Sequence, residues 1–147
     1  MQTLMEGHES INVPIERLRA FMSDTSNIAK CIPDSKDFKK IDSSNFTISM
    51  EAGISVVRGA FRFTGKASNL DDTFTYMLSG KGLGSEVNIT ITISLSKLGD
   101  SSTGVVWKTT AQFSGIISGV SEPIIKNATN QKVAEIIEKL KAELGSA

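Results

Sequence analysis

The chain's reactive residue types are few, and their spacing gives them little to act with. His8 is the only histidine and Cys31 the only cysteine among 147 residues. A nucleophile paired with a base needs a surrounding motif, and no such motif is present. His8 therefore reads as a surface strand residue. Cys31, just before Ile32-Pro33, reads as a small buried hydrophobe. Gly80-Lys81-Gly82-Leu83-Gly84 looks like a phosphate cradle. Such a loop must lead from a strand into a helix N-terminus. These glycines fall between two strands, which predicts a hairpin turn. Gly59 to Lys66 misses a phosphate loop by one residue of glycine spacing and by Ala67 after the lysine, so it reads as strand. Glu51 and Asp71-Asp72 are isolated carboxylates, with no spacing for an acid–base pair or a calcium loop. Glu9 is the one carboxylate expected on the inner face of the first strand, the only anchor for an enzymatic reading. Arg58, Arg62 and Lys66 share the wet face of another strand. They form either a solvated face or a basic patch for a partner. No metal set and no cofactor motif emerges.

Composition narrows the classes further. Sixteen basic residues balance sixteen acidic ones, so the basic footprint of a nucleic-acid binder is missing. One cysteine permits neither an intrachain disulfide nor a multi-cysteine metal site. The start, MQTLMEGHES, lacks a signal peptide's basic and apolar regions. No apolar run approaches the ~18 residues of a membrane span. The expectation is a soluble cytoplasmic protein of one domain, residues 1–147, with the sequons at Asn45, Asn88 and Asn127 occurring by chance.

The elements that must position any site follow from periodicity. Residues 3–12 predict a strand with Met5, Gly7, Glu9 and Ile11 on one face. Pro14 opens a short helix through Ile15, Leu18, Phe21 and Met22, and Asp24 to Ser26 start a second short turn through Ile28 and Ala29. Between residues 38 and 113 the period becomes two, with the clearest alternation at 86–95. One apolar and one polar side per strand predicts an antiparallel sheet with one wet face. Ser121 to Leu144 returns to helical spacing, with Ile125, Ala128, Val133, Ile136, Ile137, Leu140 and Leu144 on one face and Gly145 as its C-terminal stop. This ~36 Å helix is the only long element able to cover the dry face. The expected fold is α+β: a curved antiparallel sheet of about six to seven strands gripping a long C-terminal helix, with two short helices after strand 1.

That order is the helix-grip arrangement of the START and birch-pollen-allergen superfamily. Local residues resemble the CoxG family of carbon monoxide dehydrogenase subunits more closely. The family's L-x-x-C-I-P-G corresponds to Ile28-Ala29-Lys30-Cys31-Ile32-Pro33-Asp34. Its G-x-x-x-V-[KR]-G-x-F corresponds to Gly53 through Phe61, its Y-x-L-x-G-x-G to Tyr76 through Gly82, and its A-Q-[VF]-x-G to Ala111 through Gly115. Asp34 departs from the usual glycine, Phe63 stands where glycine is common, and the C-terminal membrane anchor of some members is absent. The resemblance implies a non-catalytic role beside a molybdenum hydroxylase: maturation, membrane recruitment or handling of a lipophilic electron acceptor.

Sterics give the most specific expectation. The helix face carries the small residues Ala128 and Thr129 midway, while the sheet offers Phe46, Phe61, Phe63, Tyr76 and Trp107. Large against small fits either interdigitated packing or an aromatic-lined cavity; the resemblance, since helix-grip domains commonly hold a cavity there, favours the cavity. Its expected lining is Phe46, Met50, Phe61, Phe63, Tyr76, Ile89, Trp107, Ile125, Ala128 and Thr129, with the Tyr76 phenol as the directional group. The helix would be anchored by its C-terminal half and act as a lid at its N-terminal half. The ligand would be lipid- or quinone-like, the partner a molybdenum hydroxylase complex, and contact with the inner membrane face peripheral. A cyclase- or aromatase-like enzyme using the same pocket, and a solid-core partner-binding module, are the alternatives.

Overall fold

The computed structural model describes residues 2–54 and 57–145, leaving aside the side chains of residues 52–54, 57, 58 and 145. Arg58 of the basic face and the Ser55-Val56 portion of the family motif thus lie outside the described residues. Along the chain run β1 (Gln2–Ile11), α1 (Ile15–Met22), α2 (Thr25–Cys31), β2 (Ser35–Lys40), β3 (Asn45–Ile54), β4 (Val57–Leu70), β5 (Thr73–Gly82), β6 (Ser85–Gly99) and β7 (Ser102–Gly115). A 3₁₀ turn (Ile116–Gly119) leads to α3 (Glu122–Gly145). The strands form one antiparallel sheet of seven in the order β1-β7-β6-β5-β4-β3-β2. This is the α+β helix-grip arrangement that the periodicity predicts. Two boundaries differ: β6 extends beyond 86–95 at both ends, and Gly145 is the last turn's residue rather than the stop after it.

Local chemistry explains the connections. Pro14 precedes α1, where its fixed φ suits a helix entrance. The Asp24 carboxylate accepts from the Ser26 backbone N–H and caps α2, and bonds from Ser26 hold its pKa below the usual carboxylate value. Asp42 Oδ1 accepts from the amides of Ser44 and Asn45 at 2.8 and 2.7 Å, closing the β2–β3 turn. The Gly80–Gly84 run is the predicted hairpin: Leu83 and Gly84 both have positive φ, as a two-residue turn matching strand twist requires. Arg19 grips Asp72 with two hydrogen bonds, tying α1 to the β4–β5 turn.

The apolar interior is divided. One cluster joins Ile11, Leu18, Met22, Cys31, Phe74, Tyr76, Leu95 and Val105 to Leu140 and Leu144, near the C-terminal end of α3. A second joins Phe46, Ile48, Phe61, Phe63, Val87, Ala111, Phe113 and Ile117 to Ile125, near its N-terminal end. The α3 backbone comes closest to α2, β1 and β3, rather than to the middle of the sheet. The helix spans from one cluster to the other.

Candidate functional site

The floor of the span is set by strand register. Phe46 pairs across with Gly65, Phe63 with Gly80, and Trp107 with Gly7. A Cβ at any of these glycines would collide with its partner's ring. The rings therefore lie down against the neighbouring strand instead of standing up toward α3. Glycine supplies the room, and the aromatic covers the backbone that glycine leaves bare. Such rings pave a surface without filling the space above it.

That space is a cavity of about 660 Å³ between the sheet and α3, within the ~300–1,000 Å³ usual for small-molecule sites. Its effect is clearest on β6. Val87 and Leu95 are buried at 5% and 6% exposure, yet Ile89, Ile91 and Ile93 between them, on the same inward face, are only half-buried. In a solid core, the middle of an interior strand would be its most buried part. α3 repeats the pattern. Ile125, Ile137, Leu140 and Leu144 are buried, while Ala128, Thr129, Val133 and Ile136 are half-buried. Ile125 at 0% exposure corrects the expected asymmetry. The N-terminal end of the helix is anchored as firmly as the C-terminal end, and the underfilled part is its middle.

The wall is mostly apolar, and its polar groups are largely committed. The buried Tyr76 phenol donates to the Met22 carbonyl at 3.0 Å. The Thr129 hydroxyl donates to the Ile125 carbonyl at 2.8 Å. The Cys31 thiol reaches the Asn27 carbonyl at 3.5 Å, and burial pushes its pKa up to about 11. Burial also raises the pKa of Tyr76. Both groups stay neutral at pH 7, as an apolar site requires. Charged side chains border the cavity through Asp34, Glu51, Lys132 and Glu135, all at least partly solvent-exposed. Lys132 Nζ on α3 lies 3.5 Å from Asp34 Oδ2 after α2 and 3.9 Å from Glu135.

Of the residues expected from sequence, Phe46, Met50, Phe61, Phe63, Tyr76, Ile89, Ala128 and Thr129 border the cavity. Trp107 does not, because its ring lies over Gly7 near the sheet edge. Ile125 does not, because it is consumed in the second cluster. Ile91, Ile93 and Thr109 border it without having been singled out. Ile91 and Ile93 share the alternation of Ile89, so strand period alone could have found them. Thr109 belongs to the inward set of β7 for the same reason.

The reactive candidates lie elsewhere. His8 is exposed on the outward face of β1. Glu9 points inward but pairs with Lys141 on α3 at 2.9 Å and does not border the cavity. Arg62 and Lys66 are exposed on β4. Among the described residues, no group of three potential metal ligands converges, and no helix is long and apolar enough to cross a membrane.

An antiparallel sheet curled about a long helix over an apolar cavity defines a START-like helix-grip protein. The chain matches the CoxG family model, that of a carbon monoxide dehydrogenase subunit, over residues 7–145, and it belongs to that family. A conserved protein from Geobacillus kaustophilus is similar in structure, with a TM-score of 0.88 at 17% identity, over 98% of this chain and 96% of that one. A START superfamily protein from Mycobacterium smegmatis has a TM-score of 0.79 at 14% identity, over 97% of each chain. The Zhui aromatase/cyclase from a Streptomyces species has a TM-score of 0.73 at 8% identity, over 99% and 94%. These identities speak to fold alone. No curated protein matches the sequence. Family and fold together suggest binding of a hydrophobic ligand.

Proposed function

We propose that this protein carries a lipophilic small molecule, lipid- or quinone-like, in the cavity beneath α3, without catalysis of its own. Its service would be to a molybdenum hydroxylase of the carbon monoxide dehydrogenase type, through maturation, recruitment or delivery of an electron acceptor, with peripheral contact at a membrane face. The observation that carries the ligand reading is the interrupted burial of β6, where Ile89, Ile91 and Ile93 lack the cover that Val87 and Leu95 have. Apolar surface left without partners gains by accepting an apolar guest. The pairing of Glu9 with Lys141, away from the cavity, favours a carrier over a cyclase-like enzyme. The family relation supports the hydroxylase partner.

Native mass spectrometry and organic extraction of the purified protein test the ligand reading, backed by titration of the delipidated protein with a neutral lipophilic fluorophore. A co-purifying lipophile, or saturable uptake of the fluorophore, is expected. Protein that emerges empty and takes up no fluorophore refutes it. Co-purification with a molybdenum hydroxylase tests the partner separately.

A further inference from the structure

Among the described residues, the polar side chains of the cavity wall below its charged rim are Cys31, Tyr76, Thr109 and Thr129. Three of them already donate to backbone carbonyls: Cys31 to Asn27, Tyr76 to Met22 and Thr129 to Ile125. Thr109 is the exception. It is 5% exposed, lies on the inward face of β7 and borders the cavity, and its hydroxyl has no hydrogen-bond partner among the described residues. Its register partner on β6 is Ile91, whose own partner on β5 is Tyr76. Thr109 and Tyr76 thus occupy one rung of the sheet, ~10 Å apart at the usual strand spacing. On the same face of β7, Thr103 is spent on the Val13 carbonyl at 2.7 Å. Thr25 also has a buried hydroxyl without a partner, but it lies outside the cavity wall. Valine would fill the Thr109 position equally well and avoid burying an unpaired hydroxyl.

We infer that Thr109 orients the ligand by a hydrogen bond to an uncharged oxygen, a carbonyl or hydroxyl, carried on a lipophilic body. The inference rests on the proposed ligand-binding role of the cavity. A threonine hydroxyl offers one donor and two acceptor positions and no charge, so it serves a neutral oxygen. A carboxylate placed beside it would be desolvated without a counter-ion. The cavity's one cation among the described residues, Lys132, is engaged with Asp34 and Glu135. The Tyr76 phenol, favoured from sequence as the directional group, is occupied by Met22.

The test is displacement of a neutral lipophilic fluorophore from delipidated full-length protein. The competitors are dodecane, dodecanoate and a series of dodecanones with the carbonyl at successive positions. At least one dodecanone should outcompete dodecane by about 2- to 10-fold, the range of one neutral hydrogen bond. Thr109→Ser should keep that preference. Thr109→Val should abolish it while leaving dodecane binding and thermal stability near wild type. Survival of the preference in Thr109→Val, equal binding of ketone and hydrocarbon in wild type, or tightest binding of dodecanoate with loss in Lys132→Met would each overturn the assignment and leave the cavity reading standing. Failure of every competitor to displace fluorophore from wild type would remove the cavity reading as well.

Discussion

Replacing Ala128 by phenylalanine separates a hollow interior from a packed one by the sign of a stability change. Ala128 is half-buried at mid-helix and faces the cavity. A phenyl group there enters space instead of displacing side chains. Its burial should contribute up to ~1.5–3 kcal/mol. Against this stand the lower helix propensity, under ~0.7 kcal/mol, and lost rotamer freedom of up to ~1 kcal/mol. The net effect runs from about zero to ~1.5 kcal/mol of stabilisation. At ~2–4 °C per kcal/mol for a chain of this size, Tm should hold or rise by up to ~6 °C. In a filled core the same change would overpack, cost ~1–3 kcal/mol and lower Tm by ~2–12 °C. The assay is thermal unfolding of delipidated protein, followed by fluorophore titration, in which affinity should fall at least ~10-fold because the ring occupies ligand space. A clearly lowered Tm with fluorophore binding intact would refute the hollow-interior argument.

Three further outcomes are expected. Tyr76→Phe strips the buried Met22 carbonyl of its donor, so chemical denaturation should show a loss of ~1–3 kcal/mol while affinity for the fluorophore changes little; a large affinity loss at unchanged stability would return the phenol to the ligand. The Cys31 pKa is raised by burial from 9.0 to about 11. The unfolded thiol therefore ionises first, and the neutral-thiol contribution is complete below pH ~9 and lost as pH rises to ~11, by ~1.4 kcal/mol per unit. Stability of wild type minus Cys31→Ala, measured from pH 8 to 11, should show that falling slope, and a flat difference would count against a buried thiol. Gly80→Ala should drive the Phe63 ring off its neighbouring strand and into the cavity. The expected cost is ~1–3 kcal/mol with weakened fluorophore uptake, and a fully wild-type protein would show that the ring does not lie on Gly80.

Legibility differed by type of feature. The alternation of Val87, Ile89, Ile91, Ile93 and Leu95 identifies a strand, and the helical spacing from Ile125 to Leu144 identifies a helix, because each property is local and periodic. The Gly80–Gly84 turn was equally readable, since positive φ is a demand on single residues. Most of the cavity wall followed, because inward positions on strands share one parity. Trp107 failed that inference. It has the right parity, yet its ring is turned aside by a partner, Gly7, 100 positions away in sequence. Tyr76 failed in its role for the same kind of reason, as its hydroxyl meets a carbonyl from α1.

By itself, then, the sequence determined the order of elements, the dry and wet faces of the sheet, the helix that covers it and the motifs that carry the family. Periodicity and turn chemistry depend on neighbours within a few residues, so these could be read without coordinates. Only the tertiary structure decided whether the interior is hollow, which rings lie flat, and which hydroxyls are spent. Those outcomes depend on distances between strands and helices far apart in the chain. A half-buried Ile91 and a fully buried Leu95 look alike in sequence and differ only in what stands opposite them. Thr109 and Thr103 share a strand face, and one is left free because only the other lies within reach of the Val13 carbonyl.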